Sequence, residues 1–416
     1  MVEVESLGVR NKTVWKQIRY LLLGAAFLFL INIFFGFDNA LTEGEVPRWQ
    51  VLIHLHAGSI GWITLTVITM AVWLYSGMRD LSETYVNRVK ILTWFIILAF
   101  GGYIVSFGLA FSQGNNFMFL LPIFGTLSAT AIWIGLIFSI VQFRTSEVKT
   151  APQLMILCAL LIASLGALMG VLLGLENALK VEIIPGADRI GAHAAVMDSY
   201  LLLAASAIVG WFLGRNTSGK YTRGALAQAV LLTLGPILAW LGLILDVEEL
   251  FGVVIPLFVI AAIIFAVRNA RGVLKLNPLR KGPGGWVFFG SIWTVLWAFV
   301  FVYLISIFIS EGVDNVSAGL IVLFVHAGFV GMMTNLIFGV LSVRGYAARN
   351  VLSWAEPAAL WLMNLGLILF VILKYTADSS LGSIVMGIGV VLGVITMIVR
   401  LLSKEESQEP AAAAGD

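Results

Sequence analysis

The chain has 416 residues, of which 60% are hydrophobic and only 12% charged, with a net charge of +2 and a mean hydropathy of +0.99. A soluble domain carries roughly a quarter charged residues, so most of this chain is solvated by lipid, and so even a charge balance offers no footing for nucleic acid as a partner. The lone cysteine, Cys158, excludes an intrachain disulfide, a cysteine-bound iron–sulfur cluster and the CxxCH attachment of a c-type haem.

Apolar runs of about twenty residues, parted by short polar loops, predict an all-α membrane protein, because lipid offers no partner to open backbone groups. Residues 1–19 read as a cytoplasmic tail, disordered over 1–11, and the first apolar run reads as a retained helix rather than a cleaved signal. In chain order the predicted helices are Tyr20 to Phe37, Val51 to Tyr75, Ile91 to Phe111, Phe117 to Phe143, Gln153 to Leu175 and Ile190 to Leu213. The second six are Ala225 to Leu245, Leu250 to Val267, Trp286 to Ser310, Val316 to Val343, Trp354 to Tyr375 and Leu381 to Leu402, with a disordered tail over 403–416. Residues 20–402 thus form one transmembrane domain of 12 helices, in units of about 20–143, 153–267 and 286–402.

Basic loops resist translocation, so the count of Lys and Arg in alternate loops orients the chain. With both termini cytoplasmic, 21 of the 25 basic residues lie inside, and only Arg48, Lys180, Arg189 and Lys374 lie outside. The expected location is the plasma or inner membrane, with the bilayer as the first partner. The longest inside loop, Arg268 to Gly285, is basic enough to meet anionic lipid heads.

The four histidines fall on one helix in every four: His54 and His56 on the second, His193 on the sixth and His326 on the tenth. Separations of 137 and 133 residues suggest three four-helix units in series. HAGxxG occurs at His56 to Gly61 and again at His326 to Gly331, with His193-Ala194-Ala195 a looser third copy. All three helices run inward, so the imidazoles share a depth in the outer half of the membrane. Ionisable residues are rare there and mark function by default.

A bare metal ion wants three or four converging ligands, often with carboxylate or thiolate, and none accompanies these histidines closely. A haem needs one or two imidazoles from opposing helices, so His54, His56, His193 and His326 are expected axial ligands of one or two haems b. His54 and His56 point about 200° apart on an α-helix. If both ligate, helix 2 stands between two cofactors, one shared with helix 6 and the other with helix 10. The small residues beside them, Ala57, Gly58, Gly61, Ala194, Ala195, Ala327, Gly328 and Gly331, serve either to admit a flat macrocycle or to pack helices closely. Arg48 and Arg189, scarce external cations near His54 and His193, are candidate partners for haem propionates. Asp198 and Tyr200, below His193, are candidates for a proton relay or an interhelical hydrogen bond, Asn335 being another possible partner of Asp198. Glu356 is expected to snorkel to the interface.

Twelve helices in three units with histidines on helices 2, 6 and 10 resemble the catalytic subunit I of haem–copper oxidases. The stretch His54-Leu55-His56-Ala57-Gly58-Ser59-Ile60-Gly61-Trp62 is similar to the HxHxGxxGW stretch of the C-type enzymes and the related nitric oxide reductases. In that family the stretch lies on helix 10 and its two histidines hold two haems; here it lies on helix 2. The family's copper or non-haem iron site takes one His from helix 6 and a pair from helix 7, and the predicted helix 7 has none. The helix 6 tyrosine that normally follows its His by four positions is Met197 here, with Tyr200 at seven. The resemblance therefore implies a divergent haem-binding member without copper. It would pass electrons, with a redox protein or quinol as partner, or bind and reduce nitric oxide or oxygen as an oxidoreductase. The competing expectations are a secondary transporter of a small solute, which would show two six-helix halves around a midplane site, and a haem- or copper-handling factor.

Overall fold

In the computed structural model 88% of the chain is helical, and no strand occurs among the described residues. Those residues are 2–42, 46–76, 82–112, 116–185, 188–214, 222–247, 249–311, 316–344, 348–376 and 380–403, without the side chains of 2–11, 197, 198, 308, 309, 311, 318 and 374–376. Twelve helices among them are long and apolar enough to cross a membrane. They are α1 (Lys12–Leu41), α2 (Arg48–Ser76), α3 (Glu83–Ser112), α4 (Leu120–Thr145), α5 (Ala151–Leu179), α6 (Arg189–Phe212), α7 (Arg223–Leu245), α8 (Glu249–Val273), α9 (Pro283–Ile307), α10 (Gly319–Arg344), α11 (Ala355–Leu373) and α12 (Ser380–Leu402).

Each predicted span falls on one of these helices, and the largest differences lie at the ends away from the histidines. The first helix runs unbroken from Val2 rather than from Tyr20. Hydropathy reports where lipid is, whereas a helix continues until its backbone is interrupted. Val14, Ile18, Leu21 and Leu22 keep a buried stripe at helical spacing through the polar stretch. Likewise α8 extends to Val273, so Arg268 and Arg271 belong to a helix rather than to the loop, and Arg268 Nη1 donates to Gln228 Oε1 of α7 at 2.6 Å. The C-terminal tail beyond Ser403 lies outside the described residues.

Burial separates the helices into two classes. The apolar stretches of α2, α6 and α10 are buried inside the protein over 89%, 81% and 61% of their length, against 28–50% for the other nine. The three are therefore central, and the nine surround them, with α1 packed on α12 to close the circuit. Each central helix is the second of a four-helix unit. The histidines ride on these three helices.

HAGxxG folds alike in its two copies. After His56 the α-helix passes into a π-helix over Ala57–Thr64, and after His326 it does the same over Ala327–Thr334. At the far end of each segment a threonine hydroxyl donates to the carbonyl five residues back, Thr64 to Ser59 at 2.9 Å and Thr334 to Phe329 at 2.8 Å. This i−5 bond matches the wider π turn, where an α-helical threonine bonds three or four residues back. The third copy, α6, is continuous α-helix.

Buried polar pairs fix the central helices to their neighbours. Asn335 of α10 and Asn364 of α11 exchange side-chain hydrogen bonds, both 3.0 Å, and Trp293 of α9 donates to Asn364 Oδ1. Glu356 does not snorkel. It is buried, paired with Arg400 of α12 at 2.6 Å, and accepts from Ser342 and Trp286. Arg400 completes its donors on the carbonyls of Arg349 and Val351. A carboxylate with a cation and two further donors inside the protein has no reason to reach for water.

Candidate functional site

Two clefts flank α2 in the outer half of the protein. The first, about 570 Å³, is walled by α2, α3, α4, α5 and α6 and holds His56 and His193. The second, about 410 Å³, lies between α1, α2 and α10 and holds His54 and His326. Both volumes include space open to the surroundings; the enclosed room is about 60 Å³ in the first and 50 Å³ in the second. His54 and His56 thus face opposite sides of one helix, as their spacing requires, and each is matched by a histidine from another central helix.

Every imidazole is held through Nδ1. His56 Nδ1 lies 2.8 Å from Leu52 O, His326 Nδ1 2.8 Å from Val322 O, His193 Nδ1 2.9 Å from Gly166 O and His54 Nδ1 2.8 Å from Asn32 O. A carbonyl only accepts, so at His56, His193 and His326 Nδ1 carries the proton and Nε2 keeps its lone pair, whereas His54 Nδ1 also has the Asn32 amide nitrogen, a donor, at 3.2 Å. The state of the first three is that of a metal-ligating histidine steadied by a backbone carbonyl. The His56 and His193 rings lie 6.4 Å apart, centroid to centroid, and within 18° of parallel. Two imidazole–metal bonds of about 2 Å each, added to the two ring radii, span roughly this distance. The separation is the one that two imidazoles sharing a metal atom would show.

The walls are cut to fit. Gly170 of α5 faces His193 so closely that a Cβ there would lie 3.2 Å from its Cε1, and Gly36 of α1 leaves only 2.8 Å to His54 Cε1. The first cleft is lined mainly by Ile60, Ala129, Ile132, Ala163, Ala167, Val171 and Val196. Of its hydroxyls, Ser59 donates to Leu55 O, Ser128 to Ala99 O, Thr64 to Ser59 O and Tyr200 to Thr64 Oγ1. These protons are already spent. Tyr103, edge-on to His56, is the hydroxyl in this cleft with no hydrogen bond among the described residues. In the second cleft Trp62 Nε1 donates to Thr334 Oγ1 at 3.1 Å, and Phe29 stacks on Trp62. With apolar walls and glycines beside the rings, the imidazoles brought two to a cleft are a donor set that a flat macrocycle carrying its own metal would use.

The other expected site residues are placed differently. Arg189 Nε pairs with Glu176 at 3.1 Å and Arg189 Nη2 with Glu182 at 2.9 Å, tying α6 to the end of α5. The Arg48 guanidinium lies 5.6 Å over the Phe111 ring. Neither arginine lines a cleft, and no Lys or Arg does among the described residues. The scarcity that drew attention to Arg189 is satisfied by carboxylates that hydropathy assigned to the same surface. Tyr200 lines the first cleft as expected, but its hydroxyl is engaged with Thr64. The side chain of Asp198 lies outside the described residues. Asn335, one of its candidate partners, is bonded to Asn364.

The small residues divide between the two roles. A Cβ at Gly61 would meet Leu28, and one at Gly328 or Gly331 would meet Trp297 or Trp293, all within 2.7 Å, so these three glycines serve close helix packing. Gly58 both packs against Asn32 and lines the second cleft. Sequence reasoning missed Asn32, Tyr103, Gly36, Gly166 and Gly170, because each lies on a helix without histidine and acts only through tertiary proximity. Asn32 carried a usable signal, an amide inside an apolar run.

Among the described residues no group of three or more His, Cys, Asp or Glu is placed to hold a metal ion. Each cleft offers two imidazoles. The chain matches no family model and no curated protein.

Proposed function

We propose that this protein is an integral membrane haem b protein of the oxidase subunit I type. In this reading it holds two haems, one between His56 and His193 and one between His54 and His326, and its work is electron transfer. The observation that carries the proposal is the His56–His193 pair: 6.4 Å between rings, both Nδ1 atoms committed to carbonyls, both side chains in one apolar cleft. A bis-imidazole haem supplies one-electron exchange and leaves no vacant coordination position.

The chain's own residues do the rest of the work. Leu52, Gly166, Asn32 and Val322 carbonyls orient the four rings. Apolar walls would exclude water from a bound macrocycle, and no Lys or Arg among the described residues lines either cleft. Paired imidazoles favour electron transfer over binding or reduction of nitric oxide or oxygen, which needs an open face. They also favour it over solute transport, for which paired rings fixed through Nδ1 have no evident use.

Electron paramagnetic resonance of the oxidised protein, expressed with haem supplied, tests the pairing. Two low-spin signals are expected. His193→Ala should convert one to high spin and His326→Ala the other, each new species binding carbon monoxide when reduced. Loss of the same signal in both variants would contradict the assignment.

A further inference from the structure

The end of the protein away from the histidines carries a cluster of charge that owes nothing to the haem reading. Trp15 and Arg19 stand one turn apart on the same face of α1. Arg344, the last residue of α10, places its guanidinium 4.9 Å over the Trp15 ring. Arg19 is near enough for the two charges to repel. Both Nε atoms are buried without a hydrogen-bond partner, and the ion pairs among the described residues involve only Arg189 and Arg400. Among the described residues, two guanidinium groups converge here and no carboxylate pairs with either.

The level of this cluster is marked by aromatics. Trp15 meets Trp73 of α2 edge-on at 5.1 Å, and Trp73 meets Trp211 of α6 at 5.1 Å. Tryptophan gathers at the height of lipid headgroups. Unpaired guanidinium forks there match the geometry and charge of a phosphate, which accepts two parallel N–H bonds from each. Basic pockets between helices on the cytoplasmic side are suited to phosphate-bearing heads.

We propose that Arg19 and Arg344 form a specific site for a phosphate-bearing anion, filled in the membrane by the headgroup of an anionic phospholipid of the inner leaflet. The bound phosphate supplies the missing counter-charge and joins α1 to α10.

Native mass spectrometry of the full chain, delipidated and titrated with phosphatidylglycerol, phosphatidylcholine or inorganic phosphate, tests this. The wild type is expected to retain one phosphatidylglycerol in preference to phosphatidylcholine. The double variant Arg19→Gln/Arg344→Gln should bind it roughly tenfold more weakly. Arg19→Lys/Arg344→Lys should recover part of the affinity and so separate a lost site from a lost fold. Neutralising two exposed cations elsewhere on the inner face, Lys275→Gln/Lys281→Gln, should leave that one lipid in place. Equal retention of both lipids, or equal loss from the two neutralised variants, would overturn the proposal. Displacement of the lipid by millimolar inorganic phosphate would identify the natural occupant as a soluble anion and overturn the assignment to lipid.

Discussion

At the scale of single residues, the imidazoles are set by what their Nδ1 atoms bond. His56 and His326 use carbonyls of their own helices, four residues back, whereas His54 uses Asn32 O of α1 and His193 uses Gly166 O of α5. The last two rings therefore depend on a neighbouring helix. Asn32 does more, since its side-chain amide also donates to His54 O, a carbonyl beside the point where α-helix gives way to π. Asn32→Leu should leave that carbonyl with the Ala57 N–H alone, at a cost of about 0.5–1.5 kcal/mol, and disturb only the second cleft. The expected result is an altered or lost low-spin signal for the His54–His326 pair with the other signal unchanged. Gly170→Val makes the opposite test. Its side chain would enter the space of His193 Cε1, so the first cleft should lose its cofactor while the second keeps it, as read by haem content and by the same resonance spectrum.

At the scale of elements, a π segment follows the histidine on α2 and on α10. A π turn is costly as a free helix and is found where function or packing demands it; here each is closed by a threonine whose hydroxyl also serves a neighbour. Thr334 accepts from Trp62 of α2, and Thr64 accepts from Tyr200 of α6. The three central helices are thus linked side chain to side chain directly beneath the clefts. Thr334→Val removes both the closing bond and the acceptor of a buried indole, and it should lower the stability of the folded protein by about 1–3 kcal/mol, measured as a fall in melting temperature in detergent. This device explains what the sequence could and could not disclose. The repeat of HAGxxG announced that two helices were built alike, and the two-residue step from His54 to His56 announced two opposed faces. Neither pattern states that the backbone changes its hydrogen-bond period after the histidine, because glycine and threonine are compatible with α-helix as well. The glycines of the motif were legible as small, but whether a small residue makes room for a ligand or for Trp297 depends on which helix stands opposite.

At the scale of the whole molecule, the arrangement is three buried helices within nine exposed ones. Apolar run length made the helix count readable, since it follows from local composition and the alternation of loops. The pairing of His56 with His193 and of His54 with His326 was readable only as one option, because it needs the positions of helices more than a hundred residues apart. External cations misled for a related reason. Arg189 has a carboxylate partner, Glu176, at the far end of another helix. The cytoplasmic end shows how such distant partners stabilise the fold. Glu356 and Arg400 join α11 to α12 and leave almost no surface on either side chain, 6% and 1% exposed. Glu356→Ala should strand a buried guanidinium and cost about 3–5 kcal/mol, whereas the double change Glu356→Met/Arg400→Met should restore most of that in a thermal unfolding assay.

The central claim is that paired imidazoles on α2, α6 and α10 hold two macrocyclic cofactors. The most direct measurement is the haem content of the purified chain, by pyridine haemochrome, together with a reduced-minus-oxidised spectrum. Two haems b per chain and the sharp α-band of bis-imidazole iron are expected. A chain that remains folded and colourless after expression with abundant haem would contradict the claim.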